Sequence, residues 1–213
     1  MKNILGIIVS YIFIGIVIIL AKFFKKSGEE ASRKFIHIML SNWWLIAMYF
    51  FENALWASLV PLSFVIINYV SYKRNLISVM ERESQDGLGT VYYAISLLIL
   101  AIITFGITKR PEMGLCSILI MGYGDGLAAV IGKRVKSYEY KIGNTKKTLA
   151  GSFIMFIITF IIVAIYGYLA GANLWILKSI ITAIILTIVE AVGIKGIDNL
   201  TLPLSACVLL LLM

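Results

Sequence analysis

The sequence predicts an all-α, polytopic integral membrane helical bundle, and its composition, apolar runs and charge placement all support this fold class. The 213 residues are 61% hydrophobic and only 14% charged, whereas an average soluble domain is about 25% charged. The mean hydropathy is +0.96. Because apolar runs recur along the whole chain, no stretch remains that could bury a separate water-soluble core. We therefore expect a single integral membrane domain over residues 1–213.

Eight apolar segments are candidates for transmembrane helices, since a bilayer core requires about 20 apolar residues per helix. The first has a longer apolar core than a secretion signal and no signal-cleavage pattern follows it, so we expect a transmembrane helix there. The second and the last segments are short for a full crossing. The predicted spans are 3–24, 35–51, 54–72, 88–108, 113–132, 149–170, 174–193 and 199–213.

The basic residues predict the orientation, because the cytoplasmic loops of membrane proteins carry an excess of Lys and Arg. With the N-terminus outside, fifteen of the 19 Lys and Arg residues lie in cytoplasmic loops and four lie outside. This asymmetry predicts about eight transmembrane helices in the cell membrane with both termini outside. It also accounts for the net charge of +8, so we expect a lipid bilayer and no nucleic acid as a partner. The tryptophans are predicted to anchor the outer interface: Trp43, Trp44, Trp56 and Trp175.

The titratable residues of the predicted spans concentrate toward the cytoplasmic side. Asp125 lies about 12 Å along its helix from the basic loop that begins at Lys133, at ~1.5 Å per residue. A charged group in hydrocarbon costs at least ~2.5 kcal/mol, so it normally faces a wet cavity or a partner. We therefore expect a polar cavity that opens to the cytoplasm. The residues expected around it are His37, Asp86, Asp125, Glu190 and Asp198.

Structural roles are the alternative for several of these residues. Asp125 and Glu190 could each form a structural ion pair with His37 or with a loop lysine. Gly122 and Gly126 form a G-x-x-x-G pair, which by itself indicates close packing of two helices.

The loop "GKRVKSYEYKIGNTKKTLAGSF", residues 132–153, is predicted to bind phosphate. Its last lysines immediately precede a helix whose first turn contains small residues. Helix N-termini offer unpaired N–H groups and a positive dipole, and small residues let an anion approach the backbone. Lysines at this position would neutralise phosphate oxygens. The residues predicted to meet the phosphates are Lys133, Lys146, Lys147, Thr148, Gly151 and Ser152.

A phosphate-binding loop opposite a buried aspartate suggests a magnesium nucleotide. Mg²⁺ is typically held by one or two carboxylates together with the phosphates themselves, and Asp125 and Asp198 are the predicted ligands. No G-x-x-x-x-G-K-[ST] motif occurs in the chain, so we expect the nucleotide to bind in an unusual way.

Four motifs follow one another from the second predicted span to the eighth: "RKFIHI" (33–38), "GTVYY" (89–93), "GDGLAAVIGKR" (124–134) with "NTKKTLAGS" (144–152), and "GIDNLTLPL" (196–204). The third, which joins Gly-Asp to Lys-Lys-Thr-x-x-Gly-Ser, is the specific one. Together they resemble the CTP-dependent lipid-alcohol kinases, which include dolichol kinase, phytol kinase and the yeast-type diacylglycerol kinase.

This resemblance implies transfer of the γ-phosphoryl group of CTP to the hydroxyl of a membrane lipid alcohol, with Mg²⁺. Polyprenol, a phytol-like isoprenoid and diacylglycerol all remain candidate acceptors. Asp125, His37, Glu190 and Asp86 are the candidate catalytic residues, and the acceptor of the alcohol's proton is open among the last three. By resemblance, the nucleotide-binding residues are Arg33, Lys34, Gly124, Gly126, Gly132, Lys133, Lys146, Lys147, Thr148, Gly151 and Ser152.

Two other functions compete with this interpretation. A CTP:phosphatidate cytidylyltransferase also pairs an aspartate-bearing helix with a Lys-Lys-Thr-x-x-Gly loop, but "GIDNLTLPL" lacks the extra aspartates of such enzymes in their last motif. A secondary transporter would use midplane carboxylates as a proton relay. The carboxylates of this chain lie toward one side instead, and no inverted sequence repeat is evident.

Overall fold

The computed structural model describes residues 1–24, 28–74, 88–142, 145–193 and 196–213, and these form a helical bundle with one short β-hairpin. The helices are α1 Lys2–Phe24, α2 Glu29–Ser41, α3 Trp43–Phe50, α4 Ala54–Arg74, α5 Gly89–Ala101, α6 Pro111–Leu119, α7 Gly126–Arg134, α8 Leu149–Leu169, α9 Trp175–Val192 and α10 Asp198–Leu211. A π-helical segment, Ile102–Ile107, extends α5, and a second one, Ile120–Asp125, joins α6 to α7. The hairpin pairs β1 Glu139–Ile142 with β2 Thr145–Thr148 in antiparallel register.

The helices follow one another as alternating passes through the bundle, which confirms the predicted all-α polytopic fold. The pair α2–α3 forms one pass, and α6, the second π-helical segment and α7 form another. In the described part of the chain, six helical ranges are long and apolar enough to cross a membrane: Lys2–Phe24, Ala54–Arg74, Gly89–Ile107, Pro111–Arg134, Leu149–Leu169 and Trp175–Val192. The other two passes, α2–α3 and α10, correspond to the two predicted spans that are short.

Contacts between helix ends place both chain termini at the same end of the bundle. Near the N-terminus, Asn3 Nδ2 donates to Glu52 Oε2 (2.9 Å), in the turn before α4. Near the C-terminus, Lys178 Nζ donates to the carbonyls of Leu212 and Met213 (3.2 Å each). This arrangement agrees with the predicted even number of passes, while the cytoplasmic orientation of the opposite end stays a prediction.

Two features differ from the sequence-based expectations. The predicted span 35–51 is interrupted at Asn42, whose side-chain amide donates to the carbonyls of Ile38 and Met39 and so competes with the backbone ladder. Trp43 and Trp44 were expected at the outer interface but are buried in the core. The indole N–H of Trp44 donates to the carbonyl of Pro111 (2.8 Å), which satisfies its only polar atom inside the protein.

Glycines let the segment Ile120–Asp125 pack tightly between α2 and α8. A Cβ on Gly122 would collide with the Ser41 side chain, and a Cβ on Gly126 would lie 2.5 Å from Cγ1 of Ile38, so both glycines face α2. A Cβ on Gly124 would lie 2.6 Å from the Met155 sulfur of α8. The G-x-x-x-G pair therefore serves close helix packing, as its spacing predicts.

We predict that Gly122→Ala destabilises the protein, because the added methyl group has no room beside Ser41. The expected loss is about 1–3 kcal/mol, as for other overpacked cores, measured as a lower unfolding temperature in lipid nanodiscs. Gly15→Ala on α1 is the matched control, because its Cβ would meet nothing within 4 Å. Equal unfolding temperatures for the two variants would contradict the packing described here.

Candidate active site

Asp125 is bound by two side chains of α2. Lys34 Nζ donates to Asp125 Oδ2 (2.6 Å), and His37 Nε2 lies 3.4 Å from the same oxygen. His37 Nε2 also lies 3.2 Å from the carbonyl of Met121. Since both neighbours of Nε2 are acceptors, this nitrogen carries a hydrogen. Asp125 is only 5% exposed, so its charge depends on these partners and not on water.

The local backbone explains why these groups meet. Lys34 and His37 are three residues apart, which puts them on one face of α2. Asp125 ends the π-helical segment, and the widened turns of such segments often occur at functional sites. The glycines that face α2 bring the two backbones close enough for both side chains to reach the carboxylate.

A second ion pair joins the hairpin to α9. Lys147 of β2 binds the Glu190 carboxylate and also donates to the Glu190 carbonyl (3.2 Å). Glu190 is 3% exposed. Burial alone lowers the pKa of the Lys147 ammonium, but the charge and hydrogen bond of Glu190 raise it above its ordinary value. Lys147 is therefore a cation at neutral pH.

The hairpin places the adjacent residues Lys147 and Lys146 on opposite faces. Side chains alternate between the two faces of a strand, and β1 follows this rule: Tyr140 faces inward, where its hydroxyl hydrogen-bonds Ser152, while Lys141 is exposed. Lys146 pairs across the ladder with Lys141 and is 67% exposed, with its ammonium 3.9 Å from Glu139. Of the two β2 lysines predicted to bind phosphate, the hairpin therefore brings only Lys147 to a buried carboxylate, that of Glu190.

The amides at the start of α8 do not form the predicted anion cradle, because they have partners inside the protein. The N–H of Leu149 donates to the carbonyl of Tyr138 (3.0 Å), and that of Ala150 donates to Ser137 Oγ (3.1 Å). The N–H of Gly151 donates to the capping hydroxyl of Thr148 (3.1 Å).

The glycines of the third motif hold α7 against this helix start. A Cβ on Gly132 would lie 2.5 Å from Thr148 Oγ1, and a Cβ on Gly151 would lie 2.9 Å from the carbonyl of Ala128. Packing therefore accounts for Gly132 and Gly151, as it does for Gly124 and Gly126, and direct binding of a nucleotide by these glycines stays a prediction.

The two ion pairs belong to one charge cluster at the end of the bundle opposite the termini. Asp198, at the start of α10, interacts electrostatically with Asp125, Lys34 and Lys147. Glu190 interacts with both aspartates as well as with its own lysine. The charge of Arg33, on α2, acts on His37. We refer below to this charge cluster as Arg33, Lys34, His37, Asp125, Lys147, Glu190 and Asp198.

Two other motif segments border the charge cluster. The side-chain amides of Asn68 and Asn199 donate to the carbonyls of Thr90 and Gly89 (3.0 Å each), which ties α4 and α10 to the start of α5. The hydroxyl of Tyr93 donates to the carbonyl of His37 (3.3 Å), and its ring packs edge-on against the imidazole. The roles of Asn199 and Tyr93 escaped the sequence reasoning, although both lie in motifs that carry the family resemblance.

Two further predicted site residues are Lys133 and Asp86. Lys133, like Lys146, is exposed. Asp86 lies outside the described residues.

Asp125 and Asp198 are the carboxylates of the charge cluster that are predicted to hold Mg²⁺. Within the described ranges, no group of three or more His, Cys, Asp or Glu side chains could hold a metal ion. Asp125 and Asp198 interact electrostatically, and Mg²⁺ typically takes one or two carboxylates and completes its shell with water and phosphate oxygens. The two aspartates could supply these carboxylates, and Mg²⁺ binding stays a prediction.

We predict that Lys34→Met destabilises the protein strongly, because it leaves the Asp125 charge buried with only His37 beside it. Breaking a buried pair typically costs about 3–5 kcal/mol, whereas replacing both charges is nearly neutral. The double variant Lys34→Met/Asp125→Asn should therefore unfold at a higher temperature than Lys34→Met. A double variant no more stable than the single one would show that the pair contributes nothing to the fold.

The chain is similar to several known proteins. No family model and no solved structure matches the chain. A phytol kinase of Synechocystis sp. is 28% identical over 210 residues, which cover 92% of this chain and 86% of the relative.

Phytol kinase 1, chloroplastic, of Arabidopsis thaliana is 28% identical over 199 residues, and a probable phytol kinase, chloroplastic, of Triticum aestivum is 26% identical over 199 residues. Each plant alignment covers 83% of this chain, and 64% and 65% of the respective relatives, so the chain spans just under two thirds of their length. The chain is therefore related to the phytol kinases, which confirms the predicted resemblance to the lipid-alcohol kinases and indicates a phosphotransferase acting on an alcohol group.

Proposed function

We propose that this protein transfers the γ-phosphoryl group of CTP to the hydroxyl of a phytol-like isoprenoid alcohol in the membrane. The observation that carries the proposal is the charge cluster buried at one end of an otherwise apolar bundle, beside a hairpin that delivers Lys147 to it. The names of the relatives support an isoprenoid acceptor.

Phosphoryl transfer requires positioning and charge neutralisation more than covalent chemistry by the protein. Lys34 and Lys147 are buried cations held in fixed places by carboxylates, so they are suited to take up phosphate charge. Asp125, with Asp198, would hold Mg²⁺, which when bound neutralises charge on the CTP phosphates.

The ion pair of Glu190 supports a positioning role for this residue. The Glu190 carboxylate is bound to Lys147, so we assign it to holding that lysine. This leaves His37 and Asp86 as candidate acceptors of the alcohol's proton.

The depth of the charge cluster suits a lipid acceptor. Asp125 lies about 14 Å along the helix from the end of α7, at ~1.5 Å per residue, and so below the hairpin and within a range that is long and apolar enough to span a membrane. An isoprenoid alcohol keeps its tail in the bilayer, so its hydroxyl can approach a group at this depth from within the leaflet. The acceptor would therefore reach the charge cluster sideways from the leaflet.

The decisive experiment uses CTP labelled at either the α or the γ phosphate. The purified protein in lipid nanodiscs, with Mg²⁺, is offered phytol, a polyprenol, diacylglycerol and phosphatidate in parallel. We expect γ label, and no α label, to appear in phytol. Incorporation of α label into phosphatidate would instead establish a cytidylyltransferase, and no transfer from either position would contradict the proposal.

We also predict different effects for the two adjacent lysines of β2. Lys147→Met should lower kcat/KM on the order of 100-fold, because it removes a fixed cation from the developing phosphate charge. Lys146→Met should lower it much less, because Lys146 faces away from the charge cluster. Equal losses in a γ-phosphoryl transfer assay would refute the assignment of the two lysines to opposite faces.

A further inference from the structure

The face of the hairpin that turns away from the charge cluster has no role in the proposed reaction. Lys141 and Lys146 lie on this face, and Lys136 and Tyr138 are exposed in the segment that leads into β1; we refer to these four residues together as the outer hairpin face. Its one described acidic neighbour is Glu139, which lies 3.9 Å from Lys146 and is itself largely exposed. The surface is therefore predominantly cationic, with one aromatic ring among the lysines.

The outer hairpin face continues the membrane-facing surface of α8. Leu149 and Phe153 are one helical turn apart on the same side of α8, and each is more than half exposed. Because α8 is long and apolar enough to span a membrane, these two side chains would contact acyl chains. The N–H of Leu149 donates to the carbonyl of Tyr138 (3.0 Å), and the Tyr138 side chain is 72% exposed directly beside this apolar stripe.

This order of side chains matches the profile of a membrane interface. Aromatic residues such as Tyr are enriched at headgroup level, and lysines near the surface attract anionic lipids. Moving away from α8 along the hairpin, Phe153 and Leu149 come first, Tyr138 lies beside Leu149, and Lys141 and Lys146 lie further out. We propose that the outer hairpin face binds the anionic headgroups of the surrounding leaflet, with Tyr138 at the interface.

A nucleotide suits the outer hairpin face less well than anionic lipid headgroups do. A nucleotide held by Lys147 would lie on the opposite face of the two-stranded ribbon from Lys141 and Lys146. An exposed aromatic ring that continues a lipid-facing stripe also suits a bilayer better than a soluble polyanion.

A spin label at residue 138 tests this proposal without reference to activity. Tyr138→Cys is labelled in a Cys116→Ala/Cys207→Ala background and reconstituted in phosphatidylcholine vesicles with or without phosphatidylglycerol. Collision with oxygen reports exposure to the bilayer, and collision with a nickel chelate reports exposure to water. Labels at Phe153→Cys and Asn173→Cys are the controls, the first facing lipid and the second exposed at the opposite end of the bundle.

We expect phosphatidylglycerol to lower the nickel accessibility of label 138 several-fold, while both control labels keep their values. Raising the salt to about 1 M, where the Debye length is ~3 Å, should reverse the change, and Lys136→Gln/Lys141→Gln should abolish it. Label 138 equally open to nickel in both lipid compositions would overturn the proposal. The proposal would also be overturned if phosphatidylglycerol lowered the nickel accessibility of label 138 equally in the Lys136→Gln/Lys141→Gln variant. It would likewise be overturned if CTP, and not phosphatidylglycerol, lowered that accessibility.

Discussion

A buried charge in an apolar bundle must be paired, and this constraint organises the end of the molecule that carries the charge cluster. Asp125 lies within a membrane-spanning helix and meets both Lys34 and His37 of α2. Lys147 reaches Glu190 in the same way from a strand outside the helices. Each pair joins elements that are far apart in sequence. The same contacts that stabilise the fold therefore hold the cations and carboxylates that phosphoryl transfer requires.

Small residues make these pairs geometrically possible. The glycines on either side of Asp125 let the Ile120–Asp125 segment approach α2 and α8, and Gly132 and Gly151 bring α7 against the start of α8. The contact between α7 and the start of α8 fixes the base of the hairpin, and the hairpin then directs Lys147 inward. A motif that resembles a nucleotide-binding signature thus acts in large part through packing, and it places a few charged side chains accurately.

The sequence predicted the features that depend on composition and periodicity. Apolar runs predicted the passes, including the two short ones, and the cost of burying charge predicted that Asp125 and Glu190 face a wet cavity or a partner, with an ion pair to His37 or a loop lysine as the structural alternative. The specific partners depend on three-dimensional contact, so spacing alone could not distinguish Lys34 from His37 as the counterion of Asp125. The hairpin escaped prediction because four-residue strands carry little periodic signal. Without it, the opposite orientations of Lys146 and Lys147 and the internal bonding of the α8 amides could not be foreseen.

The proposed function requires that the charge cluster receives the nucleotide, and not another basic region among the described residues. Calorimetric titration of CTP with Mg²⁺ into the protein in nanodiscs tests this most directly, comparing the wild type with Lys147→Met and with Lys178→Met at the opposite end of the bundle. Wild type and Lys178→Met should bind CTP with the same affinity, while Lys147→Met should bind at least about tenfold more weakly, a loss of ~1.4 kcal/mol. Undiminished binding by Lys147→Met, or an equal loss in both variants, would contradict the claim.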